Sequence, residues 1–190
     1  MVLVLVMGDL HLPHRTYAIP AKFRKLLVPN KMQHVLSTGN LCTRETLDYL
    51  RSLTGDVHVV RGDFDFDPSL AKNPETKVVT VGGFKIGIIH GHQIVPWGCK
   101  KALLQLAIQL EVDVLISGHS HVCSSREEAG ILFIDPGSAT GAFTPLLSDS
   151  PVVPSFMLMD VQAETMSIYI YRLVDDNVKV ERIIHKKQAN

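Results

Sequence analysis

Five times in this sequence an aliphatic run stops at a glycine set beside an oxygen or imidazole donor. The endings are Gly8-Asp9-x-His11, Gly39-Asn40, Gly62-Asp63, His90-Gly91-His92 and Gly118-His119-x-His121. The first run, Val2-Leu3-Val4-Leu5-Val6, is apolar at every position, as a strand buried on both faces of an α/β sheet must be. Glycine lets the chain turn at the strand end, and open α/β sheets hold their ligands outside the carboxyl ends of their strands. A single Asp-x-His is equally well a surface turn. Five endings in order point instead to one cation site assembled from several loops. Hard oxygen and imidazole nitrogen without thiolate suit Mn²⁺, Fe or Zn²⁺ and select weakly among them.

The chain between these endings alternates strand and helix at first. Pro20 is placed to open a short helix over 21–28 with Phe23, Leu26 and Leu27 on one face. A strand over 33–37 follows. Thr43 then caps a helix whose apolar stripe is Leu47, Leu50 and Leu53, and a strand over 57–61 comes next. The charged stretch 65–75 reads as a surface loop. Runs at 78–81 and 84–89 flank Gly82-Gly83 as a hairpin. A helix over 99–110 and a buried strand over 113–117 come after it. The remainder reads as β, over 122–127, 131–134, 156–161, 167–173 and 178–184, the last two joined by Asp175-Asp176-Asn177. This order predicts an α/β chain of two packed sheets with helices outside.

At 190 residues there is room for one domain, expected over 1–187 with a short tail at 188–190. Nineteen basic residues balance nineteen acidic ones, so no basic excess points to nucleic acid or a lipid surface. The N-terminal apolar run is too short to span a membrane and has no positive leader before it, which argues against a signal peptide. Cys42, Cys99 and Cys123, odd in number and scattered, read as reduced thiols of a cytosolic protein.

The ordered set Asp9-x-His11, Gly39-Asn40, Gly62-Asp63, His90 and Gly118-His119-Ser120-His121 resembles the calcineurin-like metallophosphoesterases. Four stretches carry a closer similarity, covering residues 1–187, to the small metallophosphoesterase-like subunits of retromer, the vacuolar protein sorting complex of endosomes. They are Gly8-Asp-Leu-His-Leu-Pro-His14, Gly62-Asp-Phe-Asp65, His90-Gly-His-Gln-Ile-Val-Pro-Trp-Gly98 and Asp135-Pro-Gly-Ser-Ala-Thr-Gly141. The resemblance implies a four-layer α-β-β-α sandwich of two β-sheets flanked by helices, with two metal ions at the strand ends. It assigns Asp9, His11 and His121 to one ion and Asp63, His90 and His119 to the other, with Asn40 between them. It also implies a role in cargo recycling on the cytosolic face of endosomes. There the subunit caps one end of a long α-solenoid partner and meets the membrane only through the complex.

The sequence departs from the enzymatic pattern of that superfamily at two positions. Asn40 stands where a bridging Asp is usual, and a neutral amide gives two dications neither the charge nor the second oxygen they need between them. Phe64 stands where a catalytic His is usual, and losing such a group typically removes roughly 10²–10⁴-fold of rate. Asp63 restores the carboxylate count, so weak, exchangeable binding of Mn²⁺, Zn²⁺ or a similar ion is expected without turnover, on a fold that does not need the metal. Two readings stand: a hydrolase of phosphomonoesters or phosphodiesters, and a scaffold with a degenerate pocket.

Two apolar surfaces bear on the scaffold reading. Ile94-Val95-Pro96-Trp97, just past the His90-Gly91-His92 ending, is either core or an exposed contact for the large subunit. Along the late strand, Ile168 and Ile170 face one way and Tyr169, Tyr171 and Leu173 the other. That second face is either covered or a patch with Leu3, Leu158 and Val180. The family resemblance places regulators of endosomal traffic, or sorting-nexin-type proteins, on it. Arg126, Glu127 and Glu128 read as a solvated hairpin, and His34, His58 and His185 as structural or exposed.

Overall fold

Alternation along the strands sorts side chains into separate cores, and those cores define the layers. In β1 (Val2–Met7), Val4 and Val6 join a core between two sheets, while Leu5 and Met7 join a second core beneath helices. The computed structural model describes residues 1–147 and 151–187, so the expected tail at 188–190 lies outside the described residues. β1 sits inside a six-stranded sheet with β2 (His34–Ser37), β3 (Val57–Val59), β9 (Ser155–Gln162), β10 (Thr165–Val174) and β11 (Asn177–Lys186). The order is β11-β10-β9-β1-β2-β3, with β1, β2 and β3 parallel and the late strands an antiparallel meander.

The second sheet holds β4 (Thr76–Val81), β5 (Phe84–Ile89), β6 (Val114–Ile116), β7 (Ser124–Glu128) and β8 (Ile131–Asp135), in the order β4-β5-β6-β8-β7. Its Ile86, Ile88, Val114, Ile116, Leu132 and Ile134 complete the inter-sheet core. Ile89, Leu115 and Phe133 instead pack with Leu103 and Ala107 of α4 (Lys100–Gln109). On the outer side of the first sheet, α1 (Ala21–Leu26), α2 (Arg44–Leu53) and α3 (Pro68–Ala71) contribute Phe23, Leu47, Leu50, Leu53 and Leu70 to the second core. The four layers are therefore α-β-β-α. Each large side chain so buried stabilises the fold by roughly 1.5–3 kcal/mol. No helix among the described residues is long and apolar enough to cross a membrane.

Local chemistry explains several boundaries. Thr43 caps α2 by accepting from the Thr46 amide at 3.4 Å. The β10–β11 hairpin turns on Asp175 and Asp176 at φ 51° and 57°, the left-handed pair that two-residue hairpins favour. Lys22 reaches from α1 to the Asp176 carboxylate at 2.7 Å, tying helix to hairpin.

Some expectations change. The stretch 65–75 contains α3, with Pro68 opening it, Asp67 capping it and Leu70 fully buried, so it is not simply a surface loop. Leu26 is exposed while Phe23 and Leu27 are buried, because the buried stripe of α1 runs through i and i+4 and leaves Leu26 at its edge. β3 stops at Val59, two residues short of the expected end. Arg126 is not a free solvated charge; its guanidinium lies 3.9 Å from the centre of the Phe133 ring. Glu127 meets the buried His185 at 3.0 Å.

Candidate metal centre

Because β1, β2 and β3 run parallel, and β5 and β6 do likewise, five carboxyl ends leave the sandwich at one edge. The loops there approach closely. A Cβ on Gly62 would stand 2.1 Å from Asn40 Oδ1, so only glycine lets the β3 loop pass beneath the β2 loop. Asp65, in the expected surface loop, is buried instead. Its carboxylate accepts from the amides of Asn40, Gly62 and Cys42 at 2.9, 2.8 and 2.9 Å, locking the two loops together. The connection after β8 adds a third tie, since Ser138 and Thr140 donate to the Asp9 and Leu10 carbonyls at 2.7 and 2.8 Å.

These ties bring all seven expected ligands to one place. Asp9, His11 and His121 present ligand atoms within 4.8 Å of one another, and so do Asp63, His90 and His92. Asn40 lies between the groups. Its Nδ2 is 2.9 Å from Asp63 Oδ1, 3.3 Å from Asp9 Oδ1, and 3.0 and 3.3 Å from Nε2 of His90 and His11. His119 stands slightly back, with Nδ1 3.8 Å from Asp63 Oδ1 and its ring edge-on to His90. His92 joins the second group although sequence reasoning did not select it; its only signal was the repeated His around Gly91.

The imidazoles are oriented by bonds at their far nitrogens. His90 Nδ1 donates to the Thr38 carbonyl at 2.7 Å and His121 Nδ1 to the Ala142 carbonyl at 2.6 Å. In each ring Nε2 is therefore left to face the centre, the arrangement by which outer groups prepare a histidine for a cation. Burial pushes the His11 imidazole down to about 3, so it stays neutral with a free lone pair. Burial likewise lowers His119 and His92, helped by the neighbouring His90. Burial works against the His90 cation too, but the Asp9 and Asp63 carboxylates outweigh it and raise its pKa. Desolvation would raise Asp63, yet the bonds from His90 and Asn40 hold it well below the usual carboxylate range. Two carboxylates, the neutral imidazole of His11 and the unpartnered buried Nε2 of His119 fit a divalent cation, which would displace the proton that the carboxylates favour on His90.

Behind the centre, Asp135 accepts from Ser120 Oγ at 2.7 Å and the Gly137 amide at 2.9 Å, bracing the His119-x-His121 loop. Burial pushes its carboxyl up to about 7. The backbone at the centre is unusual. Asp9, His11, Asn40, His119 and His121 all lie at positive φ, between 48° and 70°.

A cavity of about 210 Å³ opens above the ligands, walled by Phe64, Trp97 and Leu146. Trp97 packs edge-on to His119 at 4.8 Å and is 56% exposed, and Val95 is 78% exposed. Pro96 is also exposed, so of this run only Ile94 leans into the α4 core. Ile94 and Trp97 continue into a groove of about 570 Å³ with Val122 and Phe133. On the far face, Leu3, Leu158, Tyr169 and Tyr171 are half-buried and Val180 is exposed. Tyr171 stacks flat on Phe156 at 4.7 Å, and Phe156 meets Phe23 of α1 edge-on, which explains why this face is partly covered.

The His11 geometry gives a pH prediction for protein kept metal-free with a chelator, which is expected to remain folded. Unfolded His11 takes up a proton near pH 6.5, whereas the folded one resists until about 3. Between those values the unfolded chain binds more protons, so the His11 part of stability is complete above 6.5 and lost as pH falls. Wild type should therefore lose stability relative to His11→Gln as pH drops from 6.5 towards 3, by up to roughly 1.4 kcal/mol per unit. Melting curves of both proteins across that range measure it, and a constant difference would refute the burial argument.

Residues 2–164 match the calcineurin-like phosphoesterase superfamily domain. The chain is 40% identical over 187 residues to vacuolar protein sorting-associated protein 29 of Schizosaccharomyces pombe, covering 97% of this chain and 98% of that one. It is similar to the crystal structure of Chaetomium thermophilum Vps29, at 43% identity and a TM-score of 0.93, covering 99% and 100% of the two chains. It is also similar to the zinc complex of wild-type Vps29 from Entamoeba histolytica, at 50% identity and a TM-score of 0.88, covering 96% and 99%.

Proposed function

Since the chain belongs to the calcineurin-like phosphoesterase superfamily and, within it, to the Vps29 family of vacuolar protein sorting proteins, we propose that it is the retromer subunit that works as a protein-binding scaffold on the cytosolic face of endosomes. In this reading its metal centre binds divalent cations and does not turn over substrate. The Asn40 amide carries the argument. Its Oδ1 accepts from the Phe64 amide at 2.9 Å, and its NH₂ group points at both carboxylates and two imidazoles. A two-metal hydrolase needs an anionic oxygen there to hold its ions a few Å apart; here that place is filled by protons. Asp9, His11, Asp63, His90, His119 and His121 are the proposed ligands, for a weakly held Zn²⁺ or Mn²⁺, and Asn40 joins them only if its amide turns to present Oδ1.

The apolar rim beside the centre favours docking. Val95 and Trp97 are large, exposed and adjacent, and Ile94 and Pro96 frame them, which gives a compact hot spot for the long α-solenoid subunit. Leu3, Leu158, Tyr169, Tyr171 and Val180 form the proposed surface for regulators of endosomal traffic. Membrane attachment then comes through the complex. The hydrolase reading keeps one favourable observation, the convergence of all seven ligands under an open cavity.

One experiment separates the two. Purified protein in Mn²⁺ or Zn²⁺ is expected to hydrolyse an aryl phosphate far more slowly than the roughly 1–10³ s⁻¹ of ordinary enzymes, while affinity purification from cells recovers a large helical-solenoid partner. Turnover within that range, without the partner, would sink the scaffold reading.

A further inference from the structure

At the opposite end of β2 and β3 from the metal centre, a second group of ligand-type side chains meets. His34 opens β2, Asp56 immediately precedes β3, and His58 is the second residue of β3. Parallel pairing of Val35 with Val57 and of Leu36 with His58 brings the three together at the sheet edge. Asp56 uses its two oxygens separately: Oδ2 lies 2.6 Å from His34 Nδ1 and Oδ1 lies 3.0 Å from His58 Nε2. The rings are near-parallel, with centroids 6.1 Å apart, and the three ligand atoms fall within 4.8 Å of one another. The His58 contact is close without being a hydrogen bond. Both ring nitrogens of His58 are buried, and among the described residues neither has a hydrogen-bond partner. The Asp56 carboxylate attracts His58 at 3.0 Å at a poor hydrogen-bond angle, so both groups keep binding capacity that a shared cation would use.

We propose that His34, Asp56 and His58 form a second divalent-cation site, selective for Zn²⁺-type ions. Two imidazoles and one carboxylate are a zinc donor set, and they are too poor in oxygen for Ca²⁺ or Mg²⁺. Three protein ligands leave one position of a tetrahedron for water or an incoming donor. Asp56 is half-exposed, so the ion has an entry path. When zinc binds, the proton on His34 Nδ1 moves to its other ring nitrogen or to solvent, which frees the lone pair. The ion would clip the three-residue edge strand β3 to β2. His34 is six residues from Asn40, up to roughly 20 Å along an extended strand, so the two sites share no ligand.

The test is zinc stoichiometry on the intact protein, by elemental analysis after equilibration at micromolar free Zn²⁺, with diffraction at the zinc edge to place each ion. Wild type should carry one equivalent more than His34→Ala or His58→Ala, with density between these residues. Asp56→Asn keeps the shape of the side chain and guards against a folding defect in the alanine variants. It should weaken this site at least about tenfold and leave zinc at the central ligands unchanged. Equal stoichiometry in wild type and Asp56→Asn, or a zinc-edge map with no peak at His34 and His58, would overturn the proposal.

Discussion

Val95→Asp is expected to abolish capture of the long α-solenoid partner while leaving the melting curve unchanged. Val95 is 78% exposed and belongs to none of the three cores, so the isolated protein loses almost no packing. In the complex the same carboxylate would be buried at the middle of an apolar contact. Leaving it unpaired costs several kcal/mol, and each 1.4 kcal/mol is a tenfold loss, so affinity should fall by roughly 10³ or more. On the far face the matching control is Val180→Asp rather than Tyr171→Asp. Tyr171 is stacked on Phe156 and half-buried, so charging it would disturb the helix-side core, whereas Val180 is exposed. Val180→Asp should keep the solenoid contact. Co-precipitation of both variants decides the matter: a folded Val95→Asp protein that still captures the solenoid removes the docking assignment.

The second large effect runs the other way, as a gain of chemistry. Asn40→Asp with Phe64→His should raise aryl phosphate hydrolysis by at least about 10² over wild type, and by more than the two single effects combined, because bridge and proton donor act together. The geometry accommodates both changes. The Phe64 ring already sits 5.4 Å from the His11 ring at the mouth of the cavity, where an imidazole could reach a leaving group. An aspartate at position 40 replaces the 2.9 Å contact from Nδ2 to Asp63 with oxygen facing oxygen, a repulsion only a cation relieves. The double variant should accordingly depend on Mn²⁺ for stability more than wild type does. Steady-state rates with and without metal test this; activity no higher than in the single variants would show that something else silences the pocket.

The elements most legible in the sequence were those whose cause is local. β1 follows from unbroken aliphatic residues, the α2 boundary from Thr43, and the β4–β5 hairpin from Gly82-Gly83. The seven candidate ligands could be picked out because each lies within three residues of a glycine at a strand end, and the parallel pairing of the strands then carries them to one edge. What depended on contacts far apart in sequence stayed hidden. Nothing near Asp65 announces that its carboxylate will bind the amides of Asn40 and Cys42, more than twenty residues away. Arg126 looked solvated because Phe133, which it covers, lies across a hairpin. The meeting of His34, Asp56 and His58 needs the β2–β3 register, which no motif records. The short helix α3 was the exception: its Asp67-Pro68 start was visible and was outweighed by the charge around it.

Five candidate ligands held at positive φ have a consequence for how this protein can be changed. Non-glycine residues in that region cost of order 1 kcal/mol or more each, and persist only where their surroundings hold them. Bonds from Asp65, Ser138 and Thr140 hold the Asp9 and Asn40 loops here, and the Asp9 and Asp135 carboxylates with the Ala142 carbonyl hold the His119-x-His121 loop. The centre is therefore a place where the chain is less stable than it could be. Glycine at His119, whose buried Nε2 has no partner among the described residues, would relax the backbone and erase a candidate ligand in one step, whereas at Asp9 it would also leave the His119 amide unpaired. A library selected only for heat resistance would be drawn towards the His119 replacement and would lose part of the centre while the sandwich around it persisted. Any thermostable variant of this protein should be checked first at His119.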